Sequence, residues 1–348
     1  MQVVHYLELS GALERSGIGT AAKHQREALR RADVEVVSIP QYGRARDTVV
    51  EAVTGRATGS ADLVHCNMMG PGTLAIAMQA KRTGTTLVLH AHVTAEDFAG
   101  SFRGSTALSR PLQSYLRLFY SLADLVCCPS QYTRAVLESY PVDAPIKVVS
   151  NGVDTERLGG YESLRSSYRS RFNLSGLVVF AVGNVFERKG LSTFCRLARR
   201  LPYEFVWFGP YESGPLASRA VRKWTQNPPE NVTFTGWVDD VRGAYGAGDV
   251  FLFPSHVENQ GIAVLEAMAC GKPVVLRRLP VFEEYYTHGE DCLMCETFSE
   301  FQNALDRLEA DAALRRRLGE NAQKTAEQHS IDRLADDLTG VYECVSDS

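Results

Sequence analysis

The chain has 348 residues, of which 45% are hydrophobic and 22% are charged, and this ordinary globular composition excludes disordered, collagen-like and coiled-coil proteins. The length favours two domains of about 170 residues each. The net charge of −4 argues against a whole-chain cationic field that recruits nucleic acid. The eight cysteines are scattered along the chain and indicate reduced thiols rather than a disulfide framework.

The first 150 residues alternate short apolar runs with helical patterns. Such an alternation predicts βαβ units and a parallel sheet. The predicted strands cover residues 3–7, 34–39, 63–66, 86–90, 125–128 and 147–149, and the predicted helices cover residues 21–32, 72–83, 110–122 and 131–139.

The same alternation restarts near residue 177 and continues to a charged helical tail. We therefore predict an α/β protein with two Rossmann-like domains that face each other across a central cleft. The first domain covers residues 1–150, the second covers residues 151–330, and a C-terminal helix at 331–348 packs back on the first. The predicted strands of the second half cover residues 177–182, 204–208, 231–234, 250–253 and 274–276, and the predicted helices cover residues 190–201, 238–246, 262–270 and 299–342.

The most informative segment is FPSHVENQGIAVLEAMACGKPVV, at residues 253–275. Glu258 follows a predicted strand, and Glu266 lies eight residues later inside a predicted helix. The first N–H groups of that helix have no intrahelical partners, and the helix dipole favours anions there, so the turn predicts a diphosphate site. We expect Glu258 to form a hydrogen bond with a sugar hydroxyl and Glu266 to bind a ribose diol. The predicted phosphate-binding turn consists of Gln260, Gly261, Ile262 and Ala263.

A carboxylate pair at this spacing has other interpretations. A glycosidase also uses two carboxylates, but they lie about 5 to 9.5 Å apart, whereas eight helical residues span about 12 Å. An isolated pair would most simply be a solvated loop glutamate and a surface helix glutamate. The strand before Glu258 and the EAMACGKPVV run around Glu266 favour the functional interpretation.

The segment resembles the signature of family 4 retaining glycosyltransferases, which have the GT-B fold. That signature contains a glutamate, seven residues and a second glutamate, and Glu258 and Glu266 occupy the two positions. The resemblance implies a nucleotide-sugar donor site. Asn259 and Gln260 stand where the pattern usually has a glycine and an aromatic residue, and this departure bears on the identity of the donor sugar.

The segment VGNVFERKGL, at residues 182–191, resembles the V-G-R-x-x-x-x-K-G segment of the same family. The resemblance places Lys189 at the lysine that binds the donor diphosphate, with Gly183 nearby. Asn184 stands where the family has an arginine. Arg188 is the residue that could compensate, since a guanidinium can clamp phosphate through two hydrogen bonds. Without the downstream motif, Arg188 and Lys189 would be interpreted as a basic loop before a helix.

Two shorter segments extend the resemblance. NGVD at residues 151–154 is similar to the family's N-G-V-D at the entry to the second domain. FTGWV at residues 234–238 is similar to a turn whose backbone contacts the nucleotide base, which implies that Gly236 and Val238 belong to the donor site. Trp237 is interpreted equally well as a wall or as a stacking partner.

The segment SGIGT, at residues 16–20, follows the first predicted strand and precedes a helix. Gly17 and Gly19 would let a loop approach a ligand closely, and the helix N-terminus attracts phosphate. In the GT-B fold the matching loop lies over the donor phosphate and the acceptor. The segment lacks the third glycine and the following acidic residue of a dinucleotide-binding motif, which argues against NAD.

His90 and His92 lie at the end of a predicted strand, where α/β folds bind ligands. In an extended chain they would point to opposite faces, so one of them is expected to reach the site. The family has a histidine here that contacts the donor sugar; His92 is our first choice and His90 the second, and a hydrogen-bonded core histidine is the alternative. Glu96 and Asp97 are predicted to cap the next helix or to bind acceptor hydroxyls.

The segments SGIGTAAKHQREAL and HAHVTAEDF resemble the subgroup that adds sugars to glycosyl-diacylglycerols. We therefore expect a retaining glycosyltransferase that moves a hexose from a nucleotide-diphosphate sugar, a UDP-sugar by preference, to a hydroxyl of a glycolipid or saccharide. The alternatives are another GT-B enzyme, such as a sugar-nucleotide epimerase or a phosphorylase, and a non-catalytic nucleotide-sugar binding protein.

No metal or other cofactor is predicted, because the C-x-x-C at residues 292–295 and the His-x-His at residues 90–92 lack further ligands. The N-terminus does not resemble a signal peptide, and no run approaches the ~20 apolar residues of a membrane span, so we expect a cytoplasmic protein. The first 150 residues carry 15 basic and 13 acidic side chains. This slight excess suggests a peripheral contact between the N-terminal domain and the inner face of the membrane.

Overall fold

The chain folds into two compact units. The structure, a computed structural model, describes residues 1–37, 45–99, 105–212, 214 and 217–346. Each unit is an α/β domain built on a six-stranded sheet, which confirms the predicted fold class. The first unit contains Met1–Phe98, Leu108–Gly152 and His329–Ser348, and Val153–Gln328 forms the body of the second.

All strands of the first sheet run parallel, in the order β2-β1-β3-β4-β5-β6. Strands β3 and β5 are buried along their whole length, as expected for a parallel sheet covered on both faces. In the register of β1 and β3, His5 lies beside His65. The strands are β1 (Gln2–Tyr6), β2 (Glu35–Val37), β3 (Leu63–Cys66), β4 (Thr86–His90), β5 (Leu125–Cys128) and β6 (Ile146–Val148).

The second sheet is also parallel, in the order β12-β11-β10-β7-β8-β9. Because β10, β7, β8 and β9 are neighbours and run in one direction, the loops that follow them leave from one edge of the sheet. The strands are β7 (Val178–Val182), β8 (Glu204–Phe208), β9 (Val232–Gly236), β10 (Val250–Phe253), β11 (Val274–Arg277) and β12 (Leu293–Cys295).

Helices connect these strands and cover the two sheets. Before residue 153 they are α1 (Ser10–Leu13), α2 (Gly17–Arg31), α3 (Ala45–Val53), α4 (Pro71–Thr83), α5 (Ala95–Phe98), α6 (Ser105–Tyr120) and α7 (Gln131–Glu138). The later helices are α8 (Thr155–Leu158), α9 (Arg165–Arg171), α10 (Leu191–Ala198), α11 (Arg219–Gln226), α12 (Arg242–Ala247), α13 (Ile262–Ala269), α14 (Pro280–Tyr285), α15 (Phe298–Ala310), α16 (Ala312–Glu327) and α17 (Ile331–Ser346), with short 3₁₀ turns at Tyr161–Leu164 and Glu187–Lys189.

The last helix, α17, contributes to the core of the first unit. Its residues Leu334, Leu338 and Tyr342 are buried in one apolar cluster with Val3 of β1 and Leu29 of α2. A separate apolar cluster fills the second unit between the sheet and helices α10, α11, α15 and α16. No helix in the described part of the chain combines the length and apolar composition that a membrane span requires.

The structure departs from the predicted elements at several points, and helices α3, α9, α11 and α14 were not predicted. The strand at Leu293–Cys295 was missed, and the tail predicted as one helical stretch consists of α15, α16 and α17. Helix α2 begins at Gly17 rather than at residue 21, so SGIGT is not a free loop. Residues 38 and 39 of the predicted second strand lie outside the described residues.

Candidate functional site

The turn from β10 into α13 carries the predicted phosphate-binding residues. Gly261 caps α13 in the left-handed region, with φ of 86°, which a residue with a side chain would adopt only under strain. The backbone N–H of Val264 donates to Gly261 O at 2.9 Å. The N–H groups of Ile262 and Ala263 are the first of the helix and have no intrahelical acceptor. These two residues are half-buried, so the turn lies near the surface of the unit.

Glu258 lies at the centre of a compact ionic cluster. Its side chain is 6% exposed, and its Oε1 lies 2.5 Å from Lys189 Nζ. The hydroxyl of Ser255 donates to the same oxygen at 2.6 Å, and Arg188 Nη1 is 3.9 Å away. The structure therefore brings together three residues of the predicted site, Arg188, Lys189 and Glu258. Ser255 was not predicted, although a serine directly after a buried strand and a proline is a polar group at the functional edge of the sheet.

The loop after β7 is fixed against the loop after β10. His256 N donates to Arg188 O at 2.7 Å. Gly190 has φ of 82°, and a Cβ there would lie 2.3 Å from Pro254 O, so a side chain cannot fit between the two loops. The ammonium of Lys189 also lies 4.9 Å from the ring centroid of Phe253, a cation–π distance. The backbone thus holds Arg188 and Lys189 beside Glu258.

Glu266 projects from the second turn of α13 and is 8% exposed. Its Oε2 accepts a hydrogen bond of 2.6 Å from the hydroxyl of Tyr245. Burial raises the pKa of Tyr245 well above its ordinary value, so this hydroxyl is a neutral donor. Tyr245 was not predicted from the sequence, and no spacing rule connects it to Glu266, because α12 and α13 are separated by β10.

The remaining predicted donor-site residues follow β7 and β9. Gly183, with φ of 127°, comes directly after β7, and its carbonyl accepts from Trp207 Nε1 at 2.8 Å. Asn184 is half-buried next to it. Gly236 ends β9 with φ of 69°, and Val238 is 6% exposed. These residues share one edge of the sheet with the Glu258 cluster, and their contact with a nucleotide stays a prediction.

In the first unit, Gly17 and Gly19 belong to the first turn of α2. The hydroxyl of Ser16 accepts from Gly19 N at 3.2 Å and caps the helix. A Cβ at Gly19 would lie 2.1 Å from Leu13 O, so the glycine is required by packing against α1. The expectation of a glycine loop is therefore wrong, whereas ligand binding at this helix terminus stays a prediction.

His90 and His92 lie on the same side of the first sheet. Their rings stack with centroids 4.3 Å apart and an interplanar angle of 6°. The expectation of opposite faces does not hold because β4 ends at His90, and the N–H of His92 turns back to His90 O at 3.2 Å. His65 stacks on His90 at 5.5 Å, and His5 meets His65 edge to face at 5.4 Å. His5 and His65 were not predicted as members of this cluster.

Burial keeps these four imidazoles neutral. Desolvation lowers the pKa of His5 to about 4 and that of His92 to about 3. The pKa values of His65 and His90 are lowered well below the ordinary value for the same reason, with the neighbouring histidines adding to the shift. Because two charged imidazoles at these separations would repel each other in a low-dielectric interior, the cluster is built for the uncharged form.

Two buried amides hold the histidine cluster in place. The amide of Asn67 spans His92 Nε2 and His5 Nε2, at 2.9 Å from each. Gln25 spans His5 Nε2 at 2.8 Å and His90 Nδ1 at 3.0 Å. Such bonds fix the orientation of the His5, His90 and His92 rings. The predicted contact of His92 or His90 with a sugar stays a prediction.

Glu96 and Asp97 lie in the first turn of α5. The hydroxyl of Thr94 accepts from Asp97 N at 3.2 Å, so Thr94 rather than either carboxylate caps the turn. Tyr140 donates its hydroxyl to Glu96 and accepts from Ala95 N at 2.9 Å. Glu96 is exposed beyond this contact, and acceptor binding by either carboxylate stays a prediction. Across the described residues, no three His, Cys, Asp or Glu side chains are arranged to hold a metal ion.

Both units match families of known proteins. Residues 21–157 match the family described as Glycosyltransferase Family 4, and residues 166–325 match the family described as Glycosyl transferases group 1. The processive diacylglycerol alpha-glucosyltransferase of Acholeplasma laidlawii is 31% identical over 99% of this chain and 98% of its own length. The alpha-galactosylglucosyldiacylglycerol synthase of Streptococcus pneumoniae is 26% identical over 86% of this chain and 81% of its own.

Solved structures share the fold at lower identity. A structure of Anabaena HepE in complex with UDP and glucose superposes with a TM-score of 0.80 at 20% identity and covers 99% of this chain and all of its own. Sucrose-phosphate synthase from Thermosynechococcus elongatus superposes with a TM-score of 0.77 at 18% identity, covering 99% of both chains. At this identity the likeness supports the two-domain α/β fold.

Proposed function

Because the chain belongs to glycosyltransferase family 4 and has the two-domain GT-B fold, we propose that it transfers a hexose from a UDP-hexose to a hydroxyl of a diacylglycerol-type lipid, with retention of anomeric configuration. The observation that carries the proposal is the cluster of Arg188, Lys189 and Glu258 beside the first turn of α13. It combines two cations and helix amides for a diphosphate with a carboxylate for a sugar. The diacylglycerol alpha-glucosyltransferase matched over 99% of the chain supports the lipid acceptor.

The site provides cations where negative charge grows during transfer. As the sugar leaves the nucleotide, charge accumulates on the diphosphate, and preorganised cations and N–H groups stabilise it in a dry site. Lys189 and Arg188 supply the cations, and the N–H groups of Ile262 and Ala263 supply the dipoles. Glu258 is the ion-pair partner of the Lys189 ammonium, and a bound diphosphate would compete with it for that cation. Glu258 is then available to accept a hydrogen bond from the sugar.

Retention follows from attack on the face of the sugar that the diphosphate leaves. The acceptor oxygen forms a bond to the anomeric carbon as the bond to the phosphate oxygen breaks, and the acceptor proton passes to the departing phosphate. No residue of the chain forms a covalent bond in this scheme. We further propose that the cations replace a metal ion, so that activity is unchanged by EDTA and by added Mg²⁺ or Mn²⁺.

The first unit is proposed to contact the membrane that holds the lipid acceptor. Of the nine large hydrophobic side chains exposed among the described residues, seven belong to this unit, whereas Tyr211 and Trp237 belong to the second. On α6, Leu118 is 69% exposed next to the exposed Arg117, a pairing that suits an anionic lipid surface. The seven side chains are those of Met1, Leu9, Val50, Val53, Met78, Leu108 and Leu118.

The test of the transfer reaction uses purified protein with UDP-glucose, UDP-galactose or GDP-mannose. The acceptors are dioleoylglycerol and monoglucosyl-dioleoylglycerol in vesicles, with free glucose for comparison. We expect mass spectrometry to show a lipid one hexose heavier with a UDP-hexose, and proton NMR to show an α linkage. Epimerised donor or free sugar phosphate would identify the alternative enzymes, and ligand binding without turnover would identify a binding protein. The Lys189→Met variant is expected to lose at least about 100-fold in kcat/KM.

The test of the membrane contact is flotation with vesicles of phosphatidylcholine alone or mixed with phosphatidylglycerol. We expect binding that increases with the anionic lipid, and weaker binding by Leu118→Glu. The control is Tyr211→Ser, which removes an exposed aromatic side chain from the second unit and should leave flotation unchanged. Equal loss in both variants, or no binding to either vesicle, would contradict the proposed contact.

A further inference from the structure

Tyr245 is held rigidly inside the second unit. It is fully buried on α12, and its ring meets Phe180 edge to face at 5.9 Å and lies 6.5 Å from Phe251. The helix packs closely on the backbone of Tyr161, because a Cβ at the neighbouring Gly246 would lie 2.3 Å from Tyr161 O. The aromatic ring and the close backbone contact therefore fix the position of the phenol oxygen.

The phenol oxygen contacts the carboxylate of Glu266. The Tyr245 hydroxyl donates to Glu266 Oε2 at 2.6 Å, a short distance typical of a hydrogen bond to a carboxylate. Glu266 is only 8% exposed, so the direction of its carboxylate decides which lone pairs reach the surface. A carboxylate that is already oriented loses less conformational entropy on binding a ligand than a freely rotating one.

We infer that Tyr245 is a positioning residue that orients the carboxylate of Glu266 toward the ribose diol of the donor nucleotide. The inference rests on the ribose assignment of Glu266 in the proposed function. Tyr245 itself is fully buried and does not touch the nucleotide. Its effect should therefore depend on the ribose hydroxyls and disappear when they are removed from the ligand.

The experiment measures, by calorimetry, the affinity of UDP and of 2′,3′-dideoxy-UDP for the wild-type protein and for Tyr245→Phe. The corresponding GDP pair is run in parallel. We expect wild type to bind UDP at least about tenfold more tightly than the dideoxy analogue, as a hydrogen bond to a charged group implies. Tyr245→Phe should bind UDP about tenfold more weakly and the dideoxy analogue as wild type does. In steady-state kinetics, the KM of Tyr245→Phe for the donor should rise by a larger factor than its kcat falls.

Two further variants separate positioning from a general structural effect. Tyr286 is another buried tyrosine of the second unit, and its hydroxyl has no hydrogen-bond partner among the described residues, so Tyr286→Phe should change neither affinity. Glu266→Gln should lose the preference for UDP over 2′,3′-dideoxy-UDP. Adding Tyr245→Phe to that variant should cause no further loss of affinity for UDP. The ratio of the two affinities within one variant does not depend on the fraction of protein that is folded.

The outcomes distinguish the inference from the proposed function. If wild type binds neither nucleotide pair, or binds each dideoxy analogue as tightly as its parent, the ribose assignment of Glu266 fails and the inference with it. If wild type prefers the parent nucleotide and Tyr245→Phe keeps the same preference, the role of Tyr245 is refuted while the proposed function stands. A fall in kcat at unchanged donor KM would also overturn the positioning role.

Discussion

The imidazole rings of His90 and His92 stack in parallel with their centroids 4.3 Å apart. His65 extends the stack on the other side of His90 at 5.5 Å. The three rings are buried, and Nε2 of both His65 and His90 has no hydrogen-bond partner among the described residues. Protonation of one ring would place a charge beside the other imidazoles in a desolvated site, so the stack couples the stability of the first unit to pH.

We predict that the first unit loses stability as the pH falls below about 6.5. Desolvation lowers the pKa of His5 to about 4 and that of His92 to about 3 in the folded chain, whereas the unfolded value is about 6.5. Below pH 6.5 the unfolded state therefore binds more protons than the folded state, and the free energy of unfolding decreases as the pH is lowered. Each histidine should contribute on the order of 1 kcal/mol per pH unit until its folded pKa is reached.

The measurement is hydrogen exchange of β1, β3 and β4 between pH 7.5 and 5, corrected for the intrinsic exchange rate. Tryptophan fluorescence cannot serve here, because Trp207, Trp224 and Trp237 all lie in the second unit. His5→Gln should make the pH dependence shallower. His288→Asn is the control, since His288 is exposed in the second unit. Protection that is independent of pH in the wild type would contradict the prediction.

Variants of the Lys189–Glu258 ion pair should affect the stability of the protein and its activity differently. Lys189→Met leaves a carboxylate that is only 6% exposed without its closest cation, and we expect a loss of about 3 kcal/mol in the free energy of unfolding. The double variant Lys189→Met/Glu258→Gln should regain at least about half of that loss, because no unpaired charge is left buried. Both variants should lose at least about 100-fold in kcat/KM, since the diphosphate has lost one of its two cations.

Urea unfolding followed by far-UV circular dichroism gives the energies of this cycle. The matched control is the pair of Arg134 and Glu138 on α7, whose side chains are 44% and 53% exposed. Its coupling energy should not exceed about 0.5 kcal/mol. A coupling energy for Lys189 and Glu258 as small as that of the control pair would contradict the prediction that the buried carboxylate of Glu258 depends on Lys189.

The strands could be predicted where an apolar run has the length of a buried strand and ends at a turn residue. Residues 125–128 and 250–253 were predicted as they occur in the structure, and each is followed by proline and serine. Leu293–Cys295 has only three residues and no alternation, so nothing local distinguishes it from a loop. It becomes a strand because it pairs with β11, and such pairing is a tertiary effect.

The start of α2 shows a local signal that was given too little weight. Gly17 and Gly19 suggested a loop, but Ser16 precedes them, and a serine followed by helical residues is a helix N-cap signal. In the structure the Ser16 hydroxyl accepts from Gly19 N. The glycines are compatible with the helix because one of them packs against the carbonyl of Leu13.

The candidate site was predictable only in part. Glu258, Glu266 and Lys189 belong to sequence motifs, and the structure places Glu258 against Lys189. Tyr245 and Asn67 belong to no motif. The structure brings Tyr245 to Glu266 from another helix, and it brings Asn67 to His92 from another strand end. Residues that orient functional groups are selected by three-dimensional packing, which leaves no fixed spacing in the chain.

The cysteines should differ sharply in reactivity. All eight lie in the described part of the chain, and seven are buried while Cys344 is exposed. Burial raises the pKa of Cys195 and Cys270 to about 12, so these thiols supply almost no thiolate at neutral pH. We expect Ellman's reagent to modify one thiol quickly in the native protein and eight in guanidinium chloride. The Cys344→Ser variant should lose the fast reaction, and a second fast thiol in that variant would contradict the buried placement of the others.

Gly190 should be far less tolerant of alanine than Gly176, although both have positive φ, of 82° and 61°. At Gly176 no atom lies within 4 Å of an added Cβ, so alanine should cost only the backbone strain, about 1–2 kcal/mol. At Gly190 the Cβ would meet Pro254 O at 2.3 Å, which forces apart the two loops that carry Lys189 and Glu258. Gly190→Ala should therefore unfold at lower urea than Gly176→Ala and lose at least about tenfold in kcat/KM, because displacement of the cation weakens its contact with the diphosphate. Equal activity in the two variants would show that the contact between these loops does not position the site.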